Sequence, residues 1–391
     1  MTKCWYTCSA VRAVRAFAVC ALVEVGCVPS ATLATDEDGG SDAATDAVTD
    51  SPGDGALDGG GDSGDGSATD ARIDANDASD GGCNPLEAGT GRVVVFGGNN
   101  GGGTCFDDLY EWTGSDWSLH SVSTRPQGRS WPGMAFDATR SKLVVFGGSP
   151  CNSNVGLDDT WEWNGSAWSP ITPGTKPGPR IQPGMVYDAS RGVVVLFGGQ
   201  SNNVPLQDTW EYDGSTWTQR MPAMKPAARF APAMIYDAAR RRTVLFGGAT
   251  SPPNPHYNPV NDTWEWDGTN WTQRMPAMSP AARFVMAGTY DSTRCVSIVT
   301  SGSDDTVFQN DTWEYDGTTW TRREMNTLTP ARNFVPAAFD PISNKTILFA
   351  GQSNTTQLND TWDWNGTTWT LRSPANPPSK RLGHAMAFVY P

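Results

Sequence analysis

One sentence of sequence is written repeatedly along this 391-residue chain. "DTWEYDGSTWTQR" begins at Asp208, "DTWEWDGTNWTQR" at Asp262, "DTWEYDGTTWTRR" at Asp311 and "DTWDWNGTTWTLR" at Asp360. The leading Asp recurs at Asp108, Asp159, Asp208, Asp262, Asp311 and Asp360, with spacings of 51, 49, 54, 49 and 49 residues. Two other landmarks keep step with it. One is an apolar run closed by a glycine pair, as in "VVFGG" ending at Gly148 and "VLFGG" ending at Gly199. The other is a short run ending in an aromatic residue and Asp, as in "MVYD" at Asp188 and "MIYD" at Asp237. A period near 50 residues constrains the architecture more than any local feature, because each unit must bury its faces against copies of itself.

Each unit reads as four short strands. "VVVLFGG" is a continuous apolar, β-branched run ended by glycines, as a strand buried on both faces requires. "DTWEW" alternates, and an Asp-Gly or Asn-Gly step follows, which predicts a two-residue hairpin turn with positive φ at both positions. "NWTQR" returns as the partner strand, and a Pro-rich stretch with an Arg leads into the strand typified by "PAMIYD". No window shows the apolar spacing of an amphipathic helix. Four-stranded units of this period, with glycine pairs and a regularly placed Trp, resemble the kelch repeat over residues 92–391. The resemblance implies an all-β, six-bladed propeller of four-stranded antiparallel blades. The first unit starts directly at the glycine strand and lacks the strand before it, whereas the C-terminal "RLGHAMAFVYP" supplies one. Residues 385–390 are therefore expected to pair with residues 93–98 and close the ring.

Residues 1–35 carry Lys3, Arg12 and Arg15 and then an apolar run from Ala16 to Val28, the layout of an export signal. Cys27 after Gly26 resembles the lipidated cysteine of bacterial lipoproteins; ordinary cleavage near Ala34 is the alternative reading. Residues 36–82 form a low-complexity tract of Asp, Gly, Ala, Ser and Thr, with fourteen acidic residues against Arg72, a net −13. With the first 35 residues at +2, the chain's −14 leaves residues 83–391 at −3. The acidity therefore belongs to a disordered, solvated linker and gives no reason to expect a nucleic-acid partner. The organisation expected is an export segment at 1–35, a tether at 36–82 and the propeller at 83–391. The membrane is reached only through an N-terminal lipid anchor. Among the remaining cysteines, Cys105 and Cys151 fall in matching loops of adjacent units, and a disulfide between them is expected in an oxidising compartment. No zinc-type spacing is present, and no metal or other cofactor is expected.

In such a ring, the loops between second and third strands share one face with the links between blades. The variation lies there. The segments from glycine pair to Asp are residues 99–107, 149–158, 200–207, 249–261, 303–310 and 352–359, and the longest, "ATSPPNPHYNPVN", holds four prolines with His256 and Tyr257. These two are candidate recognition residues. One Arg per unit reaches the same region: Arg129, Arg180, Arg229, Arg283, Arg332 and Arg381. As a ring of cations they would bind carboxylates, phosphates or acidic sugars; paired with the acidic residues of the repeat they would be architecture, the reading the resemblance favours. Trp131 beside the first of them is a candidate stacking surface.

Two function classes follow. The first is a non-enzymatic, exported and surface-tethered binding module, acting as a monomer on a protein or polysaccharide. The second is a carbohydrate-active enzyme, since the kelch superfamily includes sialic-acid mutarotases and copper-radical oxidases resembling galactose oxidase. The chain has His120, His256 and His384 but no Tyr-His pair matching the oxidase ligand motif, and no nucleophile elbow or phosphate-cradling loop. The non-enzymatic reading is preferred.

Overall fold

The structure, a computed structural model, describes residue 83, residues 90–323 apart from 152, 154 and 254, and residues 330–390 apart from 355. The export segment, Cys27 and the acidic tract lie outside the described residues. What is described is a six-bladed propeller of four-stranded antiparallel sheets, with no helix among the described residues. Blades 2 to 6 begin with their innermost strands at Gly133–Asp137, Gly184–Asp188, Ala233–Asp237, Ala287–Asp291 and Ala337–Asp340. Blade 1 takes its innermost strand, Ala385–Val389, from the other end of the chain. That strand pairs with Arg92–Phe96 in the register Phe96↔Ala385 to Arg92↔Val389, so the ring closes as the repeat pattern requires. Each innermost strand contacts those of the two neighbouring blades, which defines a central channel.

The apolar second strand explains how the blades hold together. In Val193–Phe197, Val194 and Leu196 belong to one core cluster with Trp217, facing blade 2. Val195 and Phe197 belong to another with Trp266 and Trp271 of blade 4. Neither face meets water, so the strand cannot alternate apolar with polar residues. Each such side chain contributes about 1.5–3 kcal/mol by leaving water. The outer-strand tryptophans add a directed bond: Trp217, Trp271, Trp320 and Trp369 each donate Nε1–H to the hydroxyl of Thr160, Thr209, Thr263 and Thr312 in the preceding blade. Trp117 donates to Thr361 across the closure at 2.9 Å. Blade 1 carries Leu109 where the others carry Thr, and Trp168 Nε1 in blade 2 is accordingly buried without a partner.

The hairpins differ from the sequence expectation in one respect. Trp266 pairs with Trp271, leaving a four-residue loop, Asp267 to Asn270, rather than a two-residue turn. Gly268 has φ 96° whereas Asp267 is not in the left-handed region. The Asp267 carboxylate accepts from the amides of Thr269 and Asn270 at 2.7 and 2.8 Å, and this Asx turn stabilises the longer loop. Asn164 and Asn365 do the same in blades 2 and 6.

Candidate functional site

The first residues of the innermost strands and the links before them build two rings around one mouth of the channel. The outer ring is the six arginines. Each is fully buried, at 0–2% exposure, which removes them from the surface where an anionic ligand could reach them. Arg229 shows the arrangement. Its backbone docks on blade 3, donating to Leu206 O and accepting from Gly199 N, while its guanidinium reaches into blade 4. There it grips both carboxylate oxygens of Asp262, at 2.6 and 2.9 Å, and the Gly247 carbonyl at 3.0 Å. Arg129, Arg180, Arg283 and Arg332 repeat this with Asp159, Asp208, Asp311 and Asp360. Arg381 does so with Asp108 across the closure. The arginine is therefore an interblade clasp, and its partner is the Asp that opens the repeated sentence.

In blades 2 to 6 the same Asp accepts from the Trp two residues on, as Asp262 does from Trp264 at 2.7 Å. Burial opposes ionisation of Asp159, Asp208, Asp262 and Asp311. The guanidinium hydrogen bonds and charge outweigh it, with help from the indole, and hold each carboxyl below its ordinary range. The glycine pair fits into this clasp. A Cβ on Gly247 would lie 2.6 Å from the Arg283 carbonyl, and the backbone there is left-handed. Blades 5 and 6 place Ser301 and Ala350 at that position in the same conformation.

Two residues beyond each arginine lies the inner ring. Trp131, Gln182, Ala231, Val285 and Phe334 all have φ between 50° and 56°, and Gly383 has φ 65°. Each N–H donates to the carbonyl of the corresponding residue in the preceding unit: Gln182 to Trp131, Ala231 to Gln182, Val285 to Ala231, Phe334 to Val285 and Gly383 to Phe334. Trp131 donates to Gly383 at 2.6 Å and completes a closed circle of six hydrogen bonds. A left-handed conformation costs a non-glycine residue about 1–2 kcal/mol, which the circle and the flanking strands offset. The conformation is common to all six positions and the residue is different at every one.

Around this mouth stand the loops of variable length. Tyr257 in the longest loop is half-buried, its ring 5.7 Å from Phe230 and 5.0 Å from Phe284 between centroids. Its backbone N–H and His256 Nδ1 both meet the Asp305 carboxylate in the corresponding loop of blade 5, at 3.1 and 2.9 Å. His256 is 69% exposed. So of the two loop aromatics His256 projects and Tyr257 anchors. Phe230 and Phe284 are buried packing residues, and Phe334 lies 6.1 Å from Trp131 between ring centroids. Cys105 and Cys151 are joined by a disulfide that ties the loops of blades 1 and 2. A second disulfide, Cys83–Cys295, attaches the residue preceding the propeller to the turn between the first two strands of blade 5. Sequence reasoning missed that pair, which no spacing or repeat position announces.

Inside the rings lies a cavity of about 180 Å³, lined by Trp131, Phe334, His384 and a collar of methionines, with no Asp, Glu, Lys or Arg among its lining residues. No group of three or more His, Cys, Asp or Glu able to hold a metal ion occurs among the described residues. His120 lies on the outermost strand of blade 1, bonded to Glu111 at 2.8 Å, far in the fold from the channel. Comparison with known proteins agrees with the architecture. The family described as the KLHDC2/KLHL20/DRC7 Kelch-repeats domain matches residues 133–329, which span blades 2 to 5. No curated protein matches the chain.

Proposed function

We propose, from the premise that this chain belongs to the kelch-repeat family, that it is an exported, tethered binding module whose variable loop face recognises a protein or polysaccharide. Kelch propellers typically serve as protein-interaction modules, which puts a protein partner first. The observation that carries the reading is the inner ring, where one backbone geometry presents six different side chains amid loops of different length. A structural repeat tolerates such divergence only where the side chain has no shared structural task, and recognition is built from such positions. The buried arginines belong to the scaffold, and no polar catalytic pair faces the cavity, where His384 is the sole titratable lining residue. Export and tethering rest on the sequence of residues 1–35 and on the acidic composition of residues 36–82.

The test compares the full chain with a variant whose residues 251–259 are replaced by a short Gly-Ser loop. Both are immobilised and offered purified envelope proteins and a polysaccharide array. Selective binding by the parent, weakened in a variant that still unfolds in one cooperative transition, is expected. Binding identical in both proteins, or none by either, contradicts recognition by this face.

A further inference from the structure

The nine methionines among the described residues fall into two sets. Met134, Met185, Met234, Met286 and Met386 line the axial channel and are only 7–9% exposed. Met221, Met224, Met275 and Met278 lie on the links that leave the outermost strands of blades 3 and 4, Trp217–Arg220 and Trp271–Arg274. They are 82%, 58%, 85% and 54% exposed, and Met221 and Met275 are the most exposed large apolar side chains among the described residues.

The repeat shows that methionine has no structural task on these links. The clasp arginine follows the outermost-strand Trp by twelve positions in every unit, as Arg229 follows Trp217, so the links align without a gap. Where blades 3 and 4 have Met221 and Met275, the other units have Ser121, Thr172, Glu324 and Ser373. Where they have Met224 and Met278, the others have Thr124, Thr175, Thr327 and Asn376. All eight are polar, so neither position asks for an apolar side chain. Apolar residues scattered singly over a surface are ordinary. Two equivalent pairs on adjacent blades are not scattered, and the links agree at both methionines while differing at Lys225 and Ser279.

What exposed thioethers add is reactivity. The four described cysteines are all paired in disulfides, so no free thiol among the described residues competes for an oxidant. We propose that the rim of blades 3 and 4 is an oxidant-accepting site, where hypohalous acids and hydrogen peroxide convert Met221, Met224, Met275 and Met278 to sulfoxides and the channel set is spared. The sulfur lone pair attacks the electrophilic oxygen of hypochlorous acid. An S–O bond forms, the O–Cl bond breaks, chloride departs and the hydroxyl proton passes to water. Sulfur loses two electrons and the oxidant gains them; with hydrogen peroxide the O–O bond breaks and water leaves instead.

The fold treats the two sets oppositely. At the rim the new oxygen meets water, at positions where other units already carry polar side chains. In the channel, a Cβ on Gly133 would lie 2.7 Å from Met185 Sδ, and one on Gly184 would lie 2.7 Å from Met234 Sδ. These sulfurs are packed against the innermost strand of the preceding blade. An oxygen added there must displace packed atoms and give up hydration, the cost of any polar group buried without a partner. The site is independent of the loop-face reading above and stands or falls separately.

The experiment adds hypochlorous acid stepwise to the full chain, with peptide mapping by mass spectrometry for oxygen uptake and calorimetry for the thermal transition. The four rim methionines should be converted first, at doses that leave the channel set as thioethers and the transition cooperative. A second protein carries Met221→Ser, Met224→Thr, Met275→Ser and Met278→Thr, residue types that other units bear at these positions. Its channel methionines should oxidise, and its cooperative transition disappear, at a dose lower than the parent's by about four equivalents per chain, one for each missing thioether. If that protein fails to fold, the order of conversion in the parent decides. Rim and channel methionines converted together, a parent that unfolds once its rim is oxidised, or equal tolerance in the two proteins would each overturn the assignment.

Discussion

Two rings of six residues lie two positions apart in every unit, and they have been treated in opposite ways. At the outer ring the residue is always Arg, always buried, and always engaged with the Asp just before the third strand of the blade that its guanidinium enters. At the inner ring the residues are Trp131, Gln182, Ala231, Val285, Phe334 and Gly383, held by one circle of backbone hydrogen bonds. Where a side chain does the structural task, its identity is repeated. Where the backbone does it, the side chain is released for other purposes. The contrast separates scaffold from recognition surface within a single turn of chain.

Removing the strand that closes both rings should have the largest effect. Deleting residues 381–391 takes away the innermost strand of blade 1 together with Arg381, the clasp between blades 6 and 1. Loss of the cooperative thermal transition is expected by calorimetry, and a truncated protein melting with the parent would refute closure as a requirement for folding.

Acid should act on several clasps together. Asp159, Asp208, Asp262 and Asp311 have folded-state pKa values below the unfolded one, so their contribution is fully present above about pH 4. It is lost as pH falls through the lowered values. Urea midpoints should accordingly fall steeply below that pH, and more shallowly in an Asp311→Asn, Arg283→Met double variant; parallel profiles would place the acid sensitivity elsewhere.

Single substitutions set the rings against each other. Arg283→Met strands the Asp311 carboxylate, which is only 14% exposed, and should cost about 3–5 kcal/mol in chemical denaturation. Gln182→Ala, at the inner ring, should cost no more than about 1 kcal/mol. Comparable losses would erase the distinction. Between the two lies the interblade bond: Thr209→Val leaves Trp271 Nε1 as unpartnered as Trp168 Nε1 already is, at about 1–3 kcal/mol. At the low end, Ala231→Gly relieves a left-handed φ of 50° and should raise stability by about 0.5–1 kcal/mol; a loss would mean that the strain at this position is not steric.

The repeated sentence made the blade count, strand order and closure legible, because a 49–54-residue period and a missing first strand leave one way to complete the ring. The partner of each clasp arginine was legible only as some acidic residue of the sentence. The choice of the leading Asp over the Glu depends on which strand end the guanidinium reaches, and Glu265 is engaged instead by Arg240 and Arg274. The hairpin loop was misjudged because Asp-Gly has two uses, and the side-chain cap of Asp267 decides between them. The inner ring was hidden for a different reason. Its hydrogen bonds involve backbone alone, so Trp131, Ala231 and Gly383 share no chemistry by which a sequence could align them. Trp131 was visible as a candidate, but its place in the circle was not, since its bond to Gly383 depends on closure.

The most direct measurement is amide hydrogen exchange at residues 131, 182, 231, 285, 334 and 383 in the intact protein. If the backbone circle carries the structural task, the six amides should exchange at similar rates, near the slowest in the propeller, whatever side chain each bears. Rates scattered over orders of magnitude and following residue type would show that the side chains, not a common backbone ring, hold the mouth of the channel.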